Sequence, residues 1–281
     1  TKDFSAVHNA IQADMQTLTW PVTYGSTDTG GITLSNLSQY NWIETRVPGG
    51  HASSMGELLD IAYNIEYGGE TTDQTALNPL GLLGYQASPG QFSIFGISDE
   101  RYHIRGGNQQ LPRAVSAALP AGSVKLGRQL SALAVNKDGT QTLTFVGGAT
   151  VTADHTILAV PLGVLQRLNL SKAGFDKTKT GQIANMRMGK NATLQLQFSN
   201  RIRNWTAPWP RNSSGETYAD TGYQNSWDVS RAQAGQQGIL LEYTGGTKAG
   251  LFMPSTPFSD QTSSYVRSQA AAFLAQIEPV L

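Results

Sequence analysis

The chain has 281 residues, 20 Lys plus Arg balanced by 20 Asp plus Glu, 39% hydrophobic residues and no cysteine. That length exceeds one average domain and supplies ample apolar material for a core. Balanced charge argues against the basic footprint of a nucleic-acid binder, and the lack of cysteine excludes disulfides and thiolate zinc sites.

No apolar run approaches the roughly 20 residues of a membrane-spanning helix, and no charged-then-apolar leader opens the chain. The expectation is a soluble protein. Low charge with abundant Ser, Thr, Asn, Gln and Gly fits an exported bacterial protein from which any signal has been removed. Thr1 enters helix-like sequence at once, and Glu278-Pro279-Val280-Leu281 stops on apolar residues, so both ends read as cut from something longer. The N-x-S/T triplets at Asn36, Asn169, Asn191, Asn204 and Asn212 are what chance produces in such a composition.

In chain order, Phe4, Val7, Ile11, Met15 and Leu18 fall at helical spacing and predict an amphipathic helix closed by Trp20-Pro21. Residues 25–31 read as a polar, glycine-rich loop. Ser54 and Glu57 have capping-box spacing and open a helix whose apolar face is Met55, Leu58, Leu59, Ala62 and Ile65, ending near Gly68-Gly69. Thr72 or Asp73 can cap a third helix through Leu77 and Leu80, interrupted at Pro79. Together they predict a helical layer, followed by a strand over Phe92–Ile97.

The stretch Asp99–Leu119 combines the most specific signals. Tyr102 to Arg105 suits an extended segment, and Gly106-Gly107 permits a tight reversal. Asn108 can N-cap a helix in which Pro112 lies near the start and Leu111, Val115, Ala118 and Leu119 form one stripe, which should pack on a sheet. Strands are then expected at Val124–Leu126, Gln129–Val135 and Thr142–Val146, with Lys137-Asp138-Gly139 as a hairpin turn. Thr156–Val160 reads as a strand buried on both faces and ended by Pro161, and Gly163–Leu170 as a short helix. Asn185–Phe198 finishes in alternation, with Ala192, Leu194, Leu196 and Phe198 on one face. Ile239–Tyr243 and Leu251–Met253 predict two strands around a flexible turn, and a Ser259/Asp260 cap starts a closing helix through Val266, Ala270, Phe273, Leu274 and Ile277.

The sequence contains no G-x-G-x-x-G after a strand, no P-loop, no G-x-S-x-G and no H-E-x-x-H. Its four histidines, His8, His51, His103 and His155, fit no metal-ligand spacing.

The segment RYHIRGGNQQLPRAV, the meander from Val124 to Phe145, and ADHTILAVPLGVL at Ala153–Leu165 together resemble the flavin-containing amine oxidase family of monoamine, polyamine and L-amino-acid oxidases. Matching stretches run from Pro48 to Leu83 and from Asn185 to Trp209, so the resemblance covers most of the chain in order.

The resemblance implies an α+β fold: a mixed sheet flanked by helices, the substrate-binding domain, with an inserted strand-helix-meander piece of the FAD-binding domain. The expected divisions are residues 1–98, the helical part of the substrate-binding domain; 99–162, the FAD-domain piece; and 163–281, the sheet part with the closing helix. It implies FAD as cofactor of the intact protein, although the family's N-terminal glycine fingerprint and C-terminal flavin segment are not matched. A chain lacking the helix N-terminus that neutralises the pyrophosphate should hold flavin poorly or not at all.

Carried over residue by residue, Leu130 matches the strand whose backbone contacts the adenine end of FAD, with Val160 and Pro161 as a nearby apolar wall; ordinary sheet core is the alternative. Phe95 and Glu100 match the segment bordering the substrate cavity, where Glu100 would attract an amine. Most members carry a lysine that reaches the flavin's reactive nitrogen through water. Thr193 stands at that place, with Lys190 three residues earlier in the turn. Trp205, Trp209, Tyr223, Trp227 and Tyr243 fall where the family builds its substrate funnel, and Tyr223 and Trp227 are the cavity candidates. Arg46, Arg101 and Arg105 are the arginines that could clamp a carboxylate, although ion pairing within the fold is the commoner use.

The resulting expectation is the substrate-binding portion of an FAD-dependent amine oxidase, inactive as an isolated chain. Its partners would be a small-molecule amine and the missing segments of the FAD-binding domain, with self-association through an exposed domain interface, no nucleic acid and no membrane. The alternative is a non-catalytic domain of the same fold that binds a ligand or partner.

Overall fold

The computed structural model describes residues 2–280 apart from 20, 24, 26–27, 86–92, 98–101, 201–214, 232 and 257–258. The chain divides into two compact units, Thr1–Asp99 with Gly189–Leu281, and Glu100–Met188.

The first unit opens with α1 (Lys2–Met15), whose Val7 and Ile11 are buried as the spacing predicts. Asp28 accepts a hydrogen bond from Gly31 N–H at 2.5 Å and so starts α2 (Thr29–Asn36) inside the stretch expected to be a loop. Ser38 caps α3 (Gln39–Arg46) in the same way. A 3₁₀ turn (Gly50–Ala52) leads into α4 (Ser54–Tyr67). Its cap is Ser53, which accepts from Gly56 N–H, rather than Ser54, so the expected capping box with Glu57 does not form. Gly68 ends α4 in the left-handed region, φ 67°.

The next helix, α5 (Leu77–Leu83), has no side-chain cap, and Thr72 and Asp73 lie in the preceding turns. Pro79 does not interrupt it, because within the first turn its missing N–H has no partner to lose. Among the described residues five α-helices therefore stand where three were expected, around a core including Ile11, Trp42, Ile43, Leu59, Tyr63 and Leu80. Residues 94–97 form a turn, not a strand; Phe92 lies outside the described residues.

In the second unit residues 102–104 are irregular, and Gly106 (φ 84°) and Gly107 (φ 101°) form the turn. Then α6 (Gln110–Ala118) starts without a side-chain cap, because Asn108 accepts instead from Ile104 N–H at 3.3 Å. The stripe expected to pack on a sheet faces outward, with Leu111 62% exposed and Val115 and Leu119 also exposed. The meander forms as β1 (Leu130–Val135), β2 (Gln141–Phe145) and β3 (Thr150–Ala153), with Gly139 at φ 88° in the first hairpin.

Residues 124–126 and 156–160 are irregular rather than strands, and Ile157 is 92% exposed. A single turn, α7 (Leu162–Leu165), follows Pro161; β4 (Asn169–Lys172) then pairs parallel to β1, and α8 (Lys177–Asn185) starts on Asp176. The order is β3-β2-β1-β4, so the mixed sheet belongs to this unit, and residues 163–188 fold with the meander rather than with the first unit. The unit contains eleven Lys and Arg against four Asp and Glu, a net +7 hidden by the overall balance.

The chain returns to the first unit with β5 (Asn191–Phe198), β6 (Thr217–Tyr218), β7 (Asn225–Asp228) and β8 (Gly238–Gly245), in the antiparallel order β5-β8-β7-β6. The alternation along β5 is the one read from the sequence. A short helix, α9 (Gly246–Ala249), replaces the flexible turn, and Leu251–Met253 is not a strand. The closing helix α10 (Ser264–Ile277) is capped by Ser263, not by Ser259 or Asp260. One sheet face, with Leu194, Leu196 and Leu240, packs with Phe273 and Ile277 of α10.

Glu242 pairs across the sheet with Leu194 and Ser226 and is only 5% exposed. Burial pushes its carboxyl up to about 7, with Lys248 partly opposing the shift. A carboxyl whose folded pKa is raised contributes its full stability below the unfolded pKa and loses it as pH rises through the folded value. Wild type should therefore lose on the order of 2 kcal/mol between about pH 5 and pH 8 from this group. Glu242→Gln should show a shallower decline in urea-unfolding midpoint over that range; parallel curves would remove Glu242 as the cause.

Candidate functional site

Side chains alternate along a strand, so register decides which residues share a face. Thr193 on β5 pairs with Tyr243 on β8, which pairs with Asn225 on β7, which pairs with Tyr218 on β6. The next row on that face is Gln195, Leu241 and Trp227. Trp227 packs edge-to-face on Tyr243 with ring centroids 5.6 Å apart. Phe95 lies beside Tyr218 at 6.4 Å. The sheet face opposite α10 thus carries an aromatic group of Tyr218, Trp227 and Tyr243, joined by Phe95.

The end of α4 supplies the charge. Glu66, in the run Tyr63-Asn-Ile-Glu66-Tyr67, raises the pKa of four tyrosines through its negative field: it follows burial for Tyr67 and Tyr243, burial and Tyr67 for Tyr63, and burial and Glu216 for Tyr218. Tyr67 is pushed up to about 12, by burial first and Glu66 second. Tyr63 and Tyr218 are also raised, chiefly by burial. Tyr63 and Tyr67 donate to the carbonyls of Ile94 (3.0 Å) and Asn78 (3.1 Å), so they brace the segments around Phe95 and α5. All of these rings stay protonated at neutral pH, and carboxylates, Glu66 by all four and Glu216 by Tyr218, act on them.

The sequence-predicted residues divide clearly. Thr193, Trp227 and Phe95 belong to this group; Thr193 is exposed. Tyr223 does not: it is buried, packed edge-to-face on Phe273 at 5.4 Å, with its hydroxyl 2.9 Å from Thr217 Oγ1. It is core on the α10 side of the sheet. Lys190 is not brought to Thr193. Its main chain is held by Gly68 O and Gly246 N–H, and a Cβ on Gly250, just past α9, would lie 3.8 Å from its Nζ. Leu130, half-buried at the start of β1, half-buried Val160 and exposed Pro161 all belong to the second unit. Glu100, Arg101, Trp205 and Trp209 lie outside the described residues.

Sequence reasoning missed Glu66 and Tyr218. The Tyr-x-x-Glu-Tyr spacing on α4 was the available signal for Glu66, since residues three and four apart share a helix side. Tyr218 had none, because a two-residue strand has no readable period.

Arg46 pairs with Asp14 at 3.3 Å, which is a tie between α3 and α1. His51 is likewise structural. It lies 2.7 Å from Glu44 and 3.4 Å from Asp60 and stacks on Tyr40. Among the described residues no group of three His, Cys, Asp or Glu could hold a metal ion, and no helix is long and apolar enough to cross a membrane.

The family profile described as flavin containing amine oxidoreductase matches residues 49–279. The chain belongs to that family. It is 41% identical over 99 residues to polyamine oxidase 1 of Oryza sativa subsp. japonica, an alignment covering 34% of this chain and 18% of that protein. Among solved structures it superposes on wild-type putrescine oxidase bound to putrescine with a TM-score of 0.73 at 16% identity, covering 99% of this chain and 57% of that one. Cyclohexylamine oxidase from Brevibacterium oxydans IH-35A gives a TM-score of 0.71 at 13% identity, covering 99% and 56%. The chain therefore spans little more than half the length of these structures, and the likeness to them is one of fold.

If the Glu66 carboxylate acts on the phenols as described, Glu66→Gln should lower the titration midpoint of Tyr67 from about 12. Ring-labelled tyrosine NMR would read this directly; an unmoved Tyr67 resonance would remove Glu66 from the group.

Proposed function

We propose that this chain is the substrate-binding portion of an FAD-dependent amine oxidase that converts an amine and oxygen to an imine and hydrogen peroxide. The observation that carries the reading is the aromatic sheet face with Glu66 beside it. An ammonium ion is attracted both to aromatic faces and to a carboxylate, each contribution being about 1 kcal/mol or more once partly desolvated. Family membership supplies the redox chemistry, which the family's flavin carries.

A substrate whose only charged groups are amines fits better than an amino acid. Arg46, one of three arginines considered for a carboxylate clamp, is committed to Asp14. The described aromatic group contains no cation to receive a carboxylate, and Glu66 would repel one. Primary amines and polyamines are thus favoured.

The 281 residues do not fit a complete FAD site. The net +7 of the second unit suits an anionic pyrophosphate, but there is no G-x-G-x-x-G. The helix that follows paired glycines, α6, has no side-chain cap, and Gln110 folds back to donate to Arg105 O. In our reading further segments of an FAD-binding domain complete the site and cover the exposed stripe of α6; without them the chain is inactive or self-associates. Thr193 in place of the family lysine favours a second reading, a ligand-binding domain without catalysis.

The deciding experiment uses the purified chain. Putrescine, followed through tryptophan fluorescence, should bind at least tenfold more weakly to Glu66→Gln than to wild type, since a charge-assisted contact is lost. The same protein mixed with FAD should show no bound-flavin absorption bands. Equal putrescine affinities would overturn the site assignment. Stoichiometric flavin uptake with peroxide release on amine addition would instead show an oxidase complete in these residues.

A further inference from the structure

The outer strand of a sheet carries N–H and C=O groups without partners, and proteins blunt such edges by making them short, charged, bulged or proline-bearing. Among the described residues the sheet of the first unit runs β5-β8-β7-β6. The β6 edge is blunted by its length, which is two residues. The other edge, β5, has eight residues, Asn-Ala-Thr-Leu-Gln-Leu-Gln-Phe, with no charge and no proline. Its register with β8 is unbroken from Asn191 to Phe198, so no bulge turns it aside. Ala192–Phe198 pair with β8 alone, which leaves the N–H and C=O groups of alternate residues pointing outward along the edge.

The side chains say what could lie against this edge. Thr193, Gln195 and Gln197 are exposed, whereas Leu194, Leu196 and Phe198 pack against the α10 core and are still only half-buried. A covering strand must therefore offer apolar residues on one face and neutral polar residues on the other. A second β5 meets both demands. When two copies pair antiparallel about a two-fold axis, residues of the same face stand opposite each other. With the axis at Gln195, Leu194 meets Leu196, Thr193 meets Gln197, and Ala192, the smallest side chain, meets Phe198, the largest. An axis one residue earlier would set Phe198 opposite Lys190, and one residue later would run Thr193 against Ser199, beyond the strand. The Gln195 axis also leaves Asn191 to its own bond, Nδ2 donating to Ile65 O at 2.6 Å.

We propose that β5 is a self-association edge: two copies of this chain join antiparallel through β5, with the two-fold axis at Gln195, and merge two four-stranded sheets into one. Main-chain hydrogen bonds supply the attraction, and the alternation of β5 supplies the register. Because opposite residues share a face, the two aromatic faces lie on the same side of the merged sheet, with Thr193, Gln195 and Gln197 of both copies between them. The proposal does not depend on the amine-site reading.

Light scattering on the purified chain along a concentration series should approach twice 30.1 kDa. A monomer throughout overturns the proposal. Gln195→Lys sets two like charges opposite each other at the axis and should return the monomer, as should Gln195→Glu. An equimolar mixture of the two variants should dimerise again, because opposite charges then face each other. Dimers that persist in both variants place the association elsewhere, the exposed stripe of α6 included, and overturn the proposal.

The register has its own test, which also serves if a charged variant does not fold. The chain has no cysteine, so an introduced thiol can cross-link only to its copy. Gln195→Cys should give a disulfide-linked dimer on mild oxidation, since directly opposite side chains on paired strands come within bridging reach. Thr193→Cys, which faces Gln197, should not. Cross-linking of both variants to the same extent, or of Thr193→Cys alone, overturns the pairing.

Discussion

The first unit depends on how the end of α4 is stitched to the sheet. Lys190 N–H donates to Gly68 O, and Gly246 N–H donates to Lys190 O, so the left-handed glycine, the start of β5 and the end of β8 share one backbone chain of hydrogen bonds. Side chains extend it. Gln224 accepts from Gly245 N–H at 2.8 Å and donates to Asn64 Oδ1 at 3.1 Å. Asn64 donates to Glu70 at 2.9 Å, and Glu70 accepts from Thr247 N–H at 2.7 Å, at the start of α9. These groups are largely shielded from water, where a lost partner costs more than an exposed hydrogen bond returns. The network therefore specifies a position as much as it stabilises one.

The aromatic face follows from that position. Glu66 is exposed, while Tyr63 on the same helix is buried and Tyr67 half-buried, because the helix turns one side toward the core and the other toward the sheet face. Burial disfavours phenolate and Glu66 disfavours it further, so the two effects act in one direction on Tyr67. Tyr218 adds a second carboxylate, donating to Glu216 at 3.1 Å. The result is a set of neutral rings near negative charge, an environment that favours a cation over an anion. Glu242 follows the opposite course on the other sheet face, where burial wins over the attraction of Lys248 and the carboxyl is driven toward its neutral form.

How much of this could be read in advance follows from which features are periodic. The apolar spacing of α1 and α4 and the alternation of β5 were legible, because burial imposes period 3.6 or 2 on long elements. Short elements gave no such signal: α2 and α3 have eight residues each and depend on Asp28 and Ser38, whose capping role shows only once the helix is known. Thr156–Val160 misled because an apolar run resembles a buried strand whether or not anything covers it. Within the aromatic face, Trp227 and Phe95 had been named from the resemblance, whereas Glu66 was missed although helical spacing sets it beside Tyr63 and Tyr67. Tyr223, named with them, lies in the core against Phe273, and because it precedes β7 no strand period showed its face in advance.

The second unit shows why whole-chain sums mislead. Zero net charge is the sum of a unit at +7 and the remainder at −7, and repulsion among eleven cations is felt locally. Leu133 and Ala173 are the only buried hydrophobics of this unit among the described residues. A segment of that size must offset about 1–2 kcal/mol of ordering entropy per residue, mostly by burying apolar surface. Two buried side chains and a four-stranded sheet fall far short of it. The exposed leucine and valine stripe of α6 adds nothing to that burial, and the excess of positive charge opposes it. The first unit, by contrast, carries its own core and the network that aligns its aromatic face, so what fixes the position of Tyr218, Trp227 and Tyr243 lies within it.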